Sequence, residues 1–332
     1  MLILGVETSC DDTAAAVLRD GRTILADLVS SQDQIHGPYG GVVPELASRQ
    51  HVQNILPIVD GTLKQAGVAL QDLDGLAVTY GPGLVGSLLV GLSMIKGISF
   101  RWQIPYVGVN HLEAHLLAIQ LEHEVGFPYV ALLASGGHTL LYCVKDIGEY
   151  HYLGGTRDDA AGEAYDKVAK MMGLGYPGGK IIDDVAKTGN PKAVRFPRAQ
   201  IKKGSYQFSF SGIKTSVGHY LKSQTKEQWQ HHLADIAASF QEAVVDMLVK
   251  PTVNAAIACG VSRIVLAGGV AANSRLREKM AERAAAEGLK LYFPSPKFCT
   301  DNGAMIALAG YHALKRGRRD DFRLNAVASL TL

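Results

Sequence analysis

Cysteine is scarce in this chain: 332 residues hold four, Cys10, Cys143, Cys259 and Cys299, far apart and with no C-x-x-C spacing. Such usage fits reduced thiols in a cytosol rather than a disulfide framework. Excess charge is lacking too. A formal net charge of +2 excludes a globally basic nucleic-acid binder and leaves only a local patch open. No Lys or Arg precedes Arg19, while Glu7, Asp11 and Asp12 are already present, so the N-terminus does not read as a signal peptide. Long uninterrupted apolar runs are missing as well. The uncharged stretches 75–95 and 125–144 are broken by Gly81-Pro82-Gly83 and by Ser135-Gly136-Gly137-His138-Thr139. Each reads as a buried strand, a glycine turn and a further element. The expectation is a soluble, cytoplasmic protein with no membrane partner. No low-complexity linker occurs, and 47% hydrophobic with 19% charged residues is ordinary globular composition. The length suits about two domains.

What is present is a pattern that runs twice. Leu2 to Thr8, Thr13 to Leu18 and Arg22 to Val29 read as three strands, the first two joined by Ser9-Cys10-Asp11-Asp12. A helix from Pro44 to Gln65 stopped by Gly67, a strand at 76–79, a helix at about 84–100 and a strand at 106–109 follow. After Val125 the plan restarts with Tyr129 to Ala134, Thr139 to Val144 and Tyr150 to Gly154. Asp158-Asp159 is expected to cap a helix reaching Met172. Helix (235–258), strand (264–267), helix (272–285), strand (289–293) and a final helix from Asp301 then alternate. Duplication of a three-strand-plus-crossover unit is the simplest account, with a ligand cleft where the polar turns of the two halves meet.

Two histidines stand out. His111 and His115 are four residues apart, which on a helix stacks both imidazoles on one face and suits them to one metal ion. Asp301 is the candidate third ligand. The alternative is a pair of half-buried helix histidines. A metalloprotease reading fails at the position after the first histidine, where a zincin needs Glu and this chain has Leu112.

Residues 180–226 carry ten Lys or Arg (Lys180, Lys187, Lys192, Arg195, Arg198, Lys202, Lys203, Lys214, Lys222, Lys226) against two acids, Asp183 and Asp184. Phe196, Tyr206, Phe208, Phe210 and Tyr220 are interleaved. This reads either as a phosphate-backbone surface with stacking platforms or as a solvated insertion whose aromatics pack locally.

The glycine motifs are weaker. Gly81 to Gly86 matches G-x-G-x-x-G, but no acidic residue follows about twenty positions later, so the glycines read as tight turning rather than dinucleotide binding. Gly173 to Lys180 narrowly misses a P-loop, with Ile181 where Ser or Thr would hold magnesium. The Gly178-Gly179 pair can still bring a ligand close to backbone, and Asp183 can accept ribose hydroxyls or merely cap a helix. Ser135-Gly136-Gly137 offers backbone N–H groups to an anion. Leu266 to Asn273 (LAGGVAAN) is a second seat for a nucleotide.

In order along the chain, these stretches resemble the TsaD family of bacterial tRNA N6-adenosine threonylcarbamoyltransferases. The resemblance rests on GVETSCDDT from Gly5, GGVVPELASR from Gly40, GPGLVGSLLVG from Gly81, HLEAH from His111 and SGGHT from Ser135. DDAAGEAYDKVAKMMGLGYPGG from Asp158, FSFSGIKT from Phe208, LAGGVAAN from Leu266 and CTDNGAMIA from Cys299 extend it. Lys180 stands where the family usually has Pro, and Asp12 where Glu is common. The resemblance implies an α/β, duplicated actin-like fold (ASKHA, RNase H-like) of two lobes with an interlobe cleft. The lobes expected are 1–124 and 125–332, the second with a basic insertion at about 190–226 and the final helix from 301. It also implies a divalent metal, usually Fe2+ with Zn2+ or another ion as alternatives, held by His111, His115 and Asp301. Threonylcarbamoyl-AMP would contact Leu133, Ala134, Ser135, Gly136, Gly137, Asp166, Gly179, Asp183 and Asn273. The acceptor would be N6 of the adenosine 3′ of the anticodon in tRNAs reading ANN codons, with AMP released. Independently of the resemblance, Asp11 on the opposing polar turn is a candidate to orient or deprotonate the amine. A TsaB-like paralogue and a TsaE-like P-loop ATPase are the implied partners. An actin-fold ATPase or small-molecule kinase is the alternative activity.

Overall fold

The computed structural model describes residues 1–199 and 204–332. Backbone contacts divide it into two units, residues 1–125 with 300–332, and residues 126–299.

The first unit opens with β1 (Leu2–Glu7), β2 (Thr13–Arg19) and β3 (Thr23–Ser30), then α1 (Asp33–His36) and α2 (Pro44–Ala66). It continues with β4 (Gly75–Gly81), α3 (Val85–Trp102), β5 (Tyr106–Asn110) and α4 (His111–Leu117). The sheet order is β3-β2-β1-β4-β5, antiparallel through the first three strands and parallel where crossover helices intervene. β1 is central and its residues 3–7 are all buried, which is why it reads as an unbroken apolar run. α2 starts with Pro44 at a position that needs no N–H donor, and Gly67 ends it in the left-handed conformation.

The second unit repeats the plan. β6 (Tyr129–Ala134), β7 (Thr139–Asp146) and β8 (Glu149–Gly155) are followed by α5 (Ala161–Met171), α6 (Gly178–Ala186), α7 (Ser211–Lys222), α8 (Lys226–His231) and α9 (Leu233–Ala258). Then come β9 (Arg263–Ala267), α10 (Ser274–Ala286), β10 (Lys290–Tyr292) and α11 (Pro296–Cys299). Its order, β10-β9-β6-β7-β8, is that of the first sheet with each strand replaced by its counterpart. The duplication read from the sequence is therefore present strand for strand.

The last helix, α12 (Gly303–Lys315), corrects the expected lobe boundary. Residues 300–332 belong to the first unit, not the second. The cause is a run of small residues on both sides of one contact. Gly303 lies so close to β2 that an added methyl would stand 2.4 Å from the backbone of Ala15 and Ala16. On β1, a methyl at Gly5 would stand 2.3 Å from the backbone nitrogen of Ala307. Beyond α12 the chain runs back along β5. Asp320 N–H donates to Tyr106 O at 2.9 Å, and the Asn110 side chain donates to Thr331 O at 3.2 Å.

Two further expectations change. Ala160, not Asp158-Asp159, precedes α5. Asp158 instead accepts from Phe210 N–H (2.8 Å) and from the Ser211 hydroxyl (2.7 Å), so it caps α7 from fifty residues away. Phe196, Phe208 and Phe210 are not stacking platforms, because they are at most 2% exposed and belong to the core of the second unit, while Tyr206 and Tyr220 are half-buried against it. Among the described residues, no helix is long and apolar enough to cross a membrane.

A charged network ties α10 to α9. Glu242 accepts from Arg275 at 2.7 Å and from Lys279, and Asp246 accepts from Arg198 at 2.8 Å. Burial works against the Glu242 charge, but Arg275 and Lys279 outweigh it and hold the carboxyl at about 2. A depressed carboxyl stabilises the fold above its ordinary value of 4.5, and that stability is lost as pH falls through about 2. After screening by solvent it is worth roughly 1–2 kcal/mol. Urea midpoints should therefore decline between pH 4.5 and 2.5, with a shallower decline in Glu242→Gln than in the native chain.

Candidate metal centre

α4 begins where β5 ends, and Asn110 makes the join. Its side-chain oxygen accepts from Leu112 N–H at 2.8 Å, capping the helix so that His111 is its first residue. His111 and His115 therefore share a face, with ring centroids 4.6 Å apart and planes nearly perpendicular. Asp301 comes from the segment just before α12 and reaches the same point. Its Oδ1 lies 3.1 Å from Nε2 of His115 and 3.6 Å from Nε2 of His111. One ligand atom from each of the three falls within 4.8 Å of the others. All three belong to the first unit. The rings are almost wholly buried, at 7% exposure for His111 and 2% for His115.

The arrangement favours a cation. Burial opposes a charge on His111, yet the carboxylates of Asp301 and Glu7 overcome it and push the imidazole up to about 9. Two imidazole nitrogens and a carboxylate oxygen converging out of water suit a divalent ion and leave coordination positions for substrate. Behind His111, Nδ1 lies 3.0 Å from Glu7 Oε2 and 3.2 Å from the Ser9 hydroxyl. Leu112, which fills the position a zincin gives to its glutamate, is 2% exposed.

The turn Ser9-Cys10-Asp11-Asp12 is held by His51 of α2. Its Nε2–H donates to Cys10 O at 2.9 Å, and its Nδ1 accepts the Thr13 hydroxyl at 2.8 Å. Burial, reinforced by Asp301 and Asp11, pushes the Asp12 carboxyl up to about 8. Burial also raises Asp11, against a hydrogen bond from Cys10.

The remaining candidates lie together in the second unit. Leu133 and Ala134 are buried within β6, so they carry the Ser135-Gly136-Gly137 turn rather than offer side chains. The two glycines of that turn are exposed, and a methyl on either, or on Gly179, would meet open space. The polar candidates brace one another's elements. Asp166 accepts from Gly178 N–H at 2.7 Å, which holds the first turn of α6, where Lys180 follows the two glycines. Asp183 accepts from the Ser274 hydroxyl at 2.8 Å, and Asn273 caps α10 while donating to Gln241 at 2.7 Å. Gly268, at φ +83°, lies against Ala134 O, where a methyl would stand 2.4 Å away.

A family model described as TsaD, tRNA N6-adenosine threonylcarbamoyltransferase, matches residues 23–308. Curated relatives bearing the name tRNA N6-adenosine threonylcarbamoyltransferase agree. That of Syntrophotalea carbinolica is 56% identical over 98% of this chain and 95% of its own length. That of Geobacter sulfurreducens is 54% identical over 98% and 96%.

The chain belongs to the TsaD family.

Solved structures place the TsaD-family chain in the actin-like fold. It superposes on component A of (R)-2-hydroxyglutaryl-CoA dehydratase from Acidaminococcus fermentans with a TM-score of 0.56, at 16% identity over 95% of this chain and 99% of that one. Full-length HypF matches at a TM-score of 0.62 and 14% identity, over 95% of this chain and 55% of that one. Sequence reasoning in this TsaD-family chain brought His111, His115 and Asp301 forward and missed Glu7. The available signal was a lone acid closing an otherwise apolar strand, Leu2-Ile3-Leu4-Gly5-Val6-Glu7.

Proposed function

We infer that the chain transfers the threonylcarbamoyl group from threonylcarbamoyl-AMP to N6 of the tRNA adenosine 3′ of the anticodon, releasing AMP. The observation that carries this is the convergence of His111, His115 and Asp301 in a member of the TsaD family. An exocyclic adenine amine is a weak nucleophile, so its acyl partner must arrive activated, and a mixed carbamoyl-phosphate anhydride meets that need. The three side chains would hold one divalent ion, with Fe2+ as our choice and Zn2+ compatible with the same donors. Bound there, it supplies a Lewis acid for the carbamoyl oxygen.

The other roles fall to the chain's own groups. The N–H groups of the exposed Gly136 and Gly137 and the Gly179 backbone suit the phosphate and the nucleoside of the leaving AMP. Asp183 and Asn273 fix the ribose side of that seat. Asp11, whose carboxyl burial raises above the usual carboxylate range, accepts the proton that N6 loses as the carbon–nitrogen bond forms and the anhydride bond breaks.

For tRNA, the support is a set of exposed cations. Four of the basic residues between 180 and 226 are held by acids: Lys180 and Lys187 by Asp184, Arg198 by Asp246, and Lys214 by Asp159. Lys192, Arg195, Lys222 and Lys226 are exposed, and Lys192, Arg195 and Arg198 border an open groove of about 910 Å³. Lys202 and Lys203 lie outside the described residues. Val52 and Leu56 on α2, with Val85 and Leu89 on α3, form exposed apolar pairs on two helices of the first unit, a surface suited to a TsaB-like paralogue. The incomplete P-loop fits a separate TsaE-like ATPase, and a tRNA substrate supports a cytoplasmic reaction.

The test is nucleoside mass analysis after incubating the purified chain and partners with synthetic threonylcarbamoyl-AMP and unmodified tRNA. Modified adenosine is expected. Asn273→Ala should raise the KM for the adenylate about tenfold, the cost of one or two lost hydrogen bonds. Paired Lys192→Glu and Arg195→Glu should raise the KM for tRNA and flatten its salt dependence. ATP turnover by the chain alone, without tRNA modification, would point instead to an ATPase.

A further inference from the structure

We propose that Glu7 is a positioning residue for the metal: its carboxylate holds the hydrogen on His111 Nδ1, so that Nε2 is the nitrogen that would bind an ion shared with Asp301. The proposal rests on the metal reading above and extends it to a residue behind the ligands.

The Glu7 side chain is fully buried at the end of β1, where a carboxylate is costly unless satisfied. Its partners supply hydrogens. Ser9 N–H donates to Oε1, and the Thr79 hydroxyl donates to Oε2 at 2.7 Å. His111 Nδ1 lies 3.0 Å from the same Oε2. An acceptor-only group at that distance requires Nδ1 to carry its hydrogen, because two lone pairs would otherwise face each other. A hydrogen on Nδ1 leaves Nε2 free to act as a ligand. The Ser9 hydroxyl, 3.2 Å from Nδ1, then serves as a second acceptor. Carboxylates behind ligating imidazoles orient the ring and raise its basicity, and losing one costs about 10–100-fold in metal affinity.

The same geometry explains why an amide cannot substitute. In Glu7→Gln, the NH2 group must face either Ser9 N–H or His111. Facing Ser9, it sets donor against donor. Facing His111, it turns Nδ1 into an acceptor and moves the ring hydrogen to Nε2, where it blocks ligation. Charge and acceptor geometry are both needed at this position.

The experiment measures Zn2+ affinity by chelator competition in the full chain, for the native protein, Glu7→Gln and Ile95→Ala. Ile95 is a buried core residue of α3, and its truncation lowers the thermal midpoint without touching the network. The proposal expects Glu7→Gln to bind Zn2+ 10–100-fold more weakly and Ile95→Ala to bind like the native chain. It is overturned if Glu7→Gln binds within about twofold of native, or if Ile95→Ala loses as much affinity as Glu7→Gln. Nitrogen-15 NMR of the Zn2+-loaded native chain gives a reading that no variant's folding can spoil. An exchange-protected Nδ1–H on His111 with Nε2 bound supports the proposal, and coordination through Nδ1 overturns it. A native chain that binds no Zn2+ at His111, His115 and Asp301 refutes the metal reading itself, whereas a failure confined to Glu7→Gln refutes only the role of Glu7.

Discussion

Replacing Asp301 with alanine should lower the rate of threonylcarbamoyl transfer to tRNA by roughly 10²–10⁴-fold, the several kcal/mol that charge stabilisation at a reacting carbonyl is worth. Asp301 supplies the only oxygen in a cluster otherwise made of two imidazoles, and its Oδ1 is the atom both Nε2 nitrogens approach. Without it the two rings hold an ion weakly and their own mutual orientation loses its anchor. The effect should fall mainly on kcat, since the adenylate seat proposed for the second unit is untouched. His115→Ala should behave alike. A chelator added to the native chain should reproduce both, and added metal should restore the native chain but neither variant. Rates from single-turnover assays, with thermal melts showing that each variant remains folded, would check this. Transfer within about threefold of native in Asp301→Ala would refute the assignment.

Gly303→Ala should be among the most damaging single-methyl changes in the chain, costing about 3 kcal/mol of stability. The added carbon would lie 2.4 Å from the backbone of Ala15 and Ala16, and backbone in a central sheet cannot step aside as a side-chain tip can. Relief requires α12 to lift from β1 and β2. Because Asp301 lies two residues before Gly303, the shift should also weaken metal binding, which links packing in the sheet to chemistry at the ligands. Gly212→Ala, on α7, offers the contrast. There a methyl meets open space, so the change should be neutral or stabilising by about 0.5–1 kcal/mol. Urea titrations of both variants, with metal affinity measured in parallel, distinguish a steric effect from a general intolerance of lost glycine.

The same contact explains what the sequence shows and what it hides. The two strand trios are legible because each is an apolar run ended by a polar turn, and alternation of helices and strands then forces the parallel halves of the sheets. His111 and His115 are legible because helical spacing alone aligns them. The home of α12 is not. Its small residues, Gly303, Ala307 and Gly310, say that it packs closely but not on which sheet. Only their match to Ala15-Ala16, Gly5 and Ala77 decides it, and that is a property of distant segments together. Asp158 misleads for a similar reason. It precedes a helix as a cap should, yet its carboxylate serves the start of α7 instead. Phe196, Phe208 and Phe210 misread as stacking platforms because aromatic residues among cations look alike whether they face water or a core. Glu7 is hidden by its own strand, where one acid among buried residues marks a site only once its three donors are seen.

Anomalous diffraction from crystals of the native chain grown with Fe2+, collected across the iron edge, shows whether His111, His115 and Asp301 hold one ion. One peak per chain is expected, within about 2.0–2.3 Å of Nε2 of His111, Nε2 of His115 and a carboxylate oxygen of Asp301. A chain carrying its iron elsewhere, with those three side chains binding no ion at saturating metal, would refute the metal centre.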